Sequence, residues 1–143
     1  MTALPYPQLA NTVLDATNVR ELAEFYRELL NLVYRPGDEP PAHGNDDADW
    51  LVLYTQEGQR LLAFQQVQTL HRTTWPSPEV PMQMHLCFFI AEPHLLETHK
   101  QRAEELGAEL LLHRTDEPEE PLYVLADPAG HPFCLYTHVD AGR

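Results

Sequence analysis

Basic residues, serine, cysteine and long apolar runs are all scarce in this 143-residue sequence, and each scarcity removes a class of function. Lysine and arginine together number 9 against 22 aspartates and glutamates, a formal net charge of −13. A field of that sign repels phosphate backbones and anionic lipid headgroups, so neither a nucleic acid nor a membrane surface is expected as a partner. The acidity is instead read as a solubility device. Ser77 is the single serine and lies between Pro76 and Pro78, which argues against a serine hydrolase. Only two cysteines occur, Cys87 and Cys134, both inside apolar runs, too few for a disulfide scaffold. No apolar run approaches the ~20 residues of a membrane span, and the start of the chain lacks the basic-then-apolar pattern of a secretion signal. A cytoplasmic protein is expected. Gly-rich phosphate loops, GxSxG, HExxH and paired CxxC motifs are also missing.

What is present suits one globular domain. The apolar fraction is 43%, and a chain of this length buries roughly 68–70% of its unfolded surface. Asn11 to Ala16 reads as a strand. Asn18 followed by Glu21 has capping-box spacing, and Leu22, Phe25, Tyr26, Leu29 and Leu30 then form one helical face. Pro36 to Asp49 is loop-like. Trp50–Thr55 and Arg60–Val67 read as strands joined by a turn at Gln56–Gln59. A Pro-rich linker around Trp75 follows. The pattern then begins again with a strand over Gln83–Ile90 and a helix opened by Glu92-Pro93 and closed by Gly107. Further strands are expected over Leu110–His113, Leu122–Ala126 and Phe133–His138, with a turn at Asp127–Gly130.

A shift of 74 residues carries Asn11 onto His85, Asn18 onto Glu92, Leu22 onto Leu96, Leu29 onto Ala103 and Leu32 onto Leu106. Helix cap and helix face fall in register in both halves, the mark of a duplicated unit. Two such units cannot each bury a sheet face alone, so pairing them around a cavity is the economical arrangement.

The helix NVRELAEFYRELL (18–30), the strand carrying Met84-His85-Leu86, the segment Leu62-Ala63-Phe64-Gln65, the run from Trp75 to His85 and the ending DPAGHPFC (127–134) together resemble the vicinal oxygen chelate superfamily, in its glyoxalase-like branch. The resemblance spans about residues 9–138. It implies an α+β fold of two paired βαβββ modules, about 9–67 and 83–138 with a linker over 68–82, forming a half-open, U-shaped mixed sheet around a cavity, and commonly a homodimer. It also implies a small-molecule ligand and a reaction that the fold alone does not name.

Metal-dependent members place ligands on the first, fourth, fifth and eighth strands. By motif these positions are Asn11, one of Gln65, Gln66 or Leu62, His85, and Cys134 in place of a glutamate. One position of four carries the expected ligand. The expectation is therefore a small-molecule-binding protein with no cofactor and an incomplete metal site, with His85 as the tentative catalytic residue. Ligand binding is assigned to His85, Asn11, Gln65, Cys134, Phe64, Trp75 and His131. The alternatives are a metal-dependent lyase or dioxygenase holding Zn, Ni, Mn or Fe through His85, Cys134 and Gln65, and a drug-sequestering protein of the bleomycin-resistance kind. Strand alternation would set Cys87 and Phe89 on the side of His85, with Met84, Leu86 and Phe88 beneath the helices.

Overall fold

The computed structural model describes residues 5–139. Strand β1 (Thr12–Ala16) leads to helix α1 (Val19–Leu30), then β2 (Val33–Tyr34), β3 (Trp50–Tyr54) and β4 (Arg60–Gln66). After the linker come β5 (Leu86–Phe89), a 3-10 turn (Pro93–Leu95), helix α2 (Leu96–Glu105), β6 (Glu109–Arg114), β7 (Leu122–Ala126) and β8 (Pro132–Tyr136). Two four-stranded sheets result, in the orders β1-β4-β3-β2 and β5-β8-β7-β6. Each has one parallel pair, β1 with β4 and β5 with β8, and the other pairs are antiparallel. This is the α+β arrangement of paired modules that the repeat implies.

Helix α1 begins where its punctuation says. The Asn18 side chain accepts from the Glu21 N–H at 3.2 Å, satisfying one of the free donors of the first turn. Asn31 ends the helix in the left-handed conformation, φ 55°. Helix α2 starts with a 3-10 turn at Pro93, and Glu92 supplies no side-chain cap. The 74-residue shift maps β1 onto β5, Thr12 to Leu86, and α1 onto the 3-10 turn plus α2. The register fails beyond the helices because Pro36–Asp49 lengthens the first unit.

One core unites both sheets. Leu22, Ala23, Phe25 and Tyr26 of α1 and Leu96 and Ala103 of α2 join Leu51, Leu53, Leu62 and Phe64 from the first sheet, and Leu125, Phe133 and Leu135 from the second. Tyr26 stacks on Phe64 at 6.0 Å and meets Phe133 edge-on at 6.2 Å, so a single ring touches both halves. The helices cover one face of the sheets, and the opposite face is free of helices. On that free face the central-strand residues Val52, Ala63, Val124 and Cys134 are buried, while the edge-strand residues Val13, Val33, Phe89 and Leu112 are 40–52% exposed.

Two expectations need correction. No strand was expected at Val33–Tyr34, which pairs with Tyr54 and Leu53; two residues are too short to show a period. The fifth strand was expected from Gln83, but it begins at Leu86, so His85 is the residue immediately before it and Met84, 80% exposed, does not pack beneath a helix.

Candidate functional site

Parallel pairing sets Cys87 of β5 directly opposite Cys134 of β8, and Cys134 opposite Val124 of β7. Alternation sends Leu86 and Phe88 toward the core, with Phe133 and Leu135 beside them, and leaves both cysteines on the free face. The Sγ atoms are 3.3 Å apart, and the cysteines are free. His85, one residue before the strand, brings a ring nitrogen to the same place. Its donor atom and the two sulfurs all lie within 4.8 Å of one another. His85 and Cys87 are exposed, whereas Cys134 is 7% exposed. Burial pushes the Cys134 thiol up to about 12, helped by the neighbouring Cys87 and opposed by the Arg114 charge.

His85 also edges a cleft of about 470 Å³. One wall is β1 from Thr12 to Asp15, another is the linker at Leu70–Thr73 and Val80–Met84, and the third is the turn Ala129–Pro132. Its charged and imidazole groups are Arg72, His71, His85, His131 and a single acid, Asp15. Arg72 and Asp15 offset each other, so with histidine counted neutral the cleft carries no formal net charge, in a chain whose own is −13.

A buried network holds the third wall. The Tyr26 hydroxyl donates to Asp127 Oδ2 at 2.7 Å, and Asp127 Oδ1 accepts from the N–H groups of Ala129 and His131 at 2.9 and 3.0 Å. His131 Nε2 in turn donates to the Asp15 carbonyl at 2.7 Å, tying the turn to β1. Burial raises the Asp127 pKa, against the lowering effects of the His131 charge, the Tyr26 hydroxyl and the two backbone donors. Burial likewise holds the Tyr26 phenol well above its ordinary value. Gly130 closes the turn at φ 97°, with the Arg72 side chain lying across it.

The structure brings only part of the expected site together. His85 and Cys134 meet on the free face, and His131 joins His85 in lining the cleft. Asn11 is committed elsewhere: Oδ1 accepts from Arg60 Nε and Nδ2 donates to the Thr12 carbonyl at 3.3 Å. Gln66 is used in folding, accepting from the Val19 N–H at 3.0 Å and donating to the Thr17 carbonyl at 2.6 Å. Leu62 and Phe64 point into the core, at 3% and 0% exposure, so Phe64 packs against Tyr26 rather than against a ligand. Gln65, between them and Gln66 in the alternation, is exposed beside Asp15 and Trp50. Trp75 is half-buried in a linker turn and does not line the cleft. Cys87 as a partner of Cys134, Arg72, and the Tyr26–Asp127 bond were missed. The first was within reach, since Cys87 and Cys134 each stand in an apolar run; pairing them needs the strand register.

The glyoxalase-like domain model matches residues 11–136. No curated protein sequence matches. Among solved structures, the fosfomycin resistance protein FosX from Mesorhizobium loti is similar at 13% identity and TM-score 0.64, over 94% of each chain. A glyoxalase/bleomycin resistance/dioxygenase family enzyme from Burkholderia phytofirmans PsJN is similar at 13% identity and TM-score 0.65, over 91% of this chain and 98% of that one. A mutant FosX from Listeria monocytogenes, complexed with Mn(II) and 1S,2S-dihydroxypropylphosphonic acid, is similar at 15% identity and TM-score 0.67, over 94% of each chain.

Proposed function

The chain belongs to the glyoxalase-like domain family, and from that premise we propose that it binds a small oxygen-bearing organic molecule in the cleft beside His85. The observation that carries this reading is the composition of the cleft wall. Arg72, His71 and His85 supply donors for a carboxylate, phosphonate or enol oxygen, while Leu70, Val80, Met82 and Met84 offer apolar surface beside them. Arg72 is the anchor: its side chain is 51% exposed, with Glu109 no nearer than 4.0 Å.

A hard divalent ion does not fit the residues at the family's metal positions. Mn(II) prefers carboxylate, carbonyl and water oxygens. Here the converging donors are one imidazole and two sulfurs, and no carboxylate joins them among the described residues. Asn11 is held by Arg60 and Gln66 by the start of α1. The reading is thus of a binding protein, or an enzyme of unassigned reaction, that works without a hard metal ion. His85 is its first candidate for moving a proton or orienting an oxygen.

Assembly as a homodimer belongs to the same reading. The edges of the helix-free face carry Val33, Phe89 and Leu112, and an identical chain would cover part of that face over more than ~1,000 Å². A cytoplasmic setting suits two cysteines that act as thiols.

The test is a thermal-shift screen of small carboxylates, phosphonates (fosfomycin among them), diols and bleomycin, followed by calorimetry on any hit. Saturable binding that Arg72→Ala abolishes and Cys87→Ser preserves is the expected result. A hit indifferent to Arg72→Ala would place the ligand elsewhere and refute the assignment.

A further inference from the structure

We infer that His85, Cys87 and Cys134 form an open three-donor site for a thiophilic d10 ion of the zinc class, in place of a hard divalent cation. The inference does not depend on an organic ligand in the cleft. It rests on three features of the second sheet.

First, the donors are already gathered. Their ligand atoms lie within 4.8 Å of one another and the two sulfurs within 3.3 Å. Zn–S bonds of about 2.3 Å at a tetrahedral angle put two thiolate sulfurs roughly 3.8 Å apart. The pair needs to open by only about half an ångström to admit the ion.

Second, the pairing of the two sulfurs is enforced by the strand register, and His85 is the residue immediately before β5. Cys87 and Cys134 are register partners in a parallel pair, with Leu86, Phe88, Phe133 and Leu135 anchoring both strands in the core. Cys134 is fixed and buried; Cys87 and His85 are exposed and can adjust. Among the described residues, neither ring nitrogen of His85 has a hydrogen-bond partner, so one is available without breaking a contact.

Third, the donor chemistry discriminates. Two thiolates and an imidazole select Zn(II), Cd(II) or Cu(I) over Mn(II) and Mg(II), because soft sulfur gives little to hard ions. Three protein ligands leave the fourth tetrahedral position without a protein donor, as in exchangeable or catalytic sites and unlike closed structural ones.

The experiment uses the full chain, reduced and stripped with chelator, titrated with Cd(II) alone while thiolate-to-metal absorption in the ultraviolet is followed. Zn(II) affinity is then read by competition with a chromophoric chelator. One ion per chain with two thiolates is expected, unaffected by a large excess of Mn(II). Cys87→Ser should weaken binding at least roughly 100-fold, beyond what loss of an outer-shell partner costs. His85→Gln should weaken it at least roughly tenfold while keeping the two-thiolate absorption. Both positions are exposed, so the variants should fold, and circular dichroism confirms it. Arg72→Ala removes no donor atom and should leave the Cd(II) titration unchanged, although His85 serves both this site and the cleft. Absence of thiolate absorption, equal binding of Mn(II), or a Cys87→Ser protein that titrates like the parent would each overturn the inference.

Discussion

Removing one oxygen from Tyr26 tests how the two halves are joined. The Tyr26 hydroxyl and Asp127 lie 101 residues apart in sequence and 2.7 Å apart in space, and both are at most 1% exposed. Phenylalanine keeps the stacking on Phe64 and the edge contacts with Phe25 and Phe133, so Tyr26→Phe isolates the hydrogen bond. Asp127 Oδ2 is then left buried without its donor, while Oδ1 keeps the Ala129 and His131 N–H groups. An unsatisfied buried acceptor costs about 1–3 kcal/mol, and bonds to charged groups lie at the upper end. With an unfolding entropy of about 2.1 cal/mol/K per residue, a loss of ~2 kcal/mol lowers Tm by roughly 7 °C for a chain of this size. The pH dependence has a definite sign. Burial raises the folded-state pKa of Asp127, so the stability linked to its proton is full below the ordinary carboxylate value and is lost as pH rises through the raised one. The Tyr26 hydroxyl lowers that pKa, so its removal makes the penalty larger at about pH 7.5 than at about pH 4.5. Urea unfolding at the two pH values measures both. A loss under ~0.5 kcal/mol, or one equal at both pH values, would refute the reasoning.

Three smaller perturbations follow from the same contacts. Gly130→Ala should cost at least ~1–2 kcal/mol in urea unfolding, since a Cβ at φ 97° is strained and would sit 2.8 Å from Arg72 Cγ; the double variant with Arg72→Ala should recover the steric part only. Asn18→Ala should lose about 1 kcal/mol by removing the acceptor for the Glu21 N–H, whereas Asn18→Ser should lose little. Light scattering should give twice the chain mass at micromolar concentration, and Phe89→Asp should shift it toward the monomer while leaving the far-ultraviolet spectrum intact; a monomeric parent would count against the covered free face.

The fold was legible where local signals agree with tertiary demands. The Asn18 cap, the helical face from Leu22 and the turn from Asp127 to Gly130 are each fixed within a few residues, and each stands where the sequence places it. Strand ends were less legible. Gln83–His85 has the composition of a strand but no partner in β8, which begins at Pro132 and pairs from Phe133 onward, so β5 starts at Leu86. Val33–Tyr34 is a strand only because β3 lies beside it. Phe64 illustrates the limit on side-chain assignment: an aromatic in a strand is apolar on either face, and only the register with Leu14 and Leu51 sends it into the core.

The candidate site depends on that register more than on any single residue. Because side chains alternate along a strand, a slip of one residue between β5 and β8 would set Cys87 against Phe133 or Leu135, both core residues, and separate the thiols. The observed pairing is pinned by the opposite face, where Leu86, Phe88, Phe133 and Leu135 must all reach the core beneath α1. The apolar residues flanking each cysteine therefore do more than fill the core. By packing downward they turn both thiols upward on the free face, 3.3 Å apart and beside His85. The chemistry of the free face is thus set by the packing of the buried one. A core substitution such as Phe133→Ala, which weakens the anchor of β8, should loosen the thiol pair and lower Cd(II) affinity without touching a donor atom. If that variant folds and binds Cd(II) as tightly as the parent, the register is held by something other than the core.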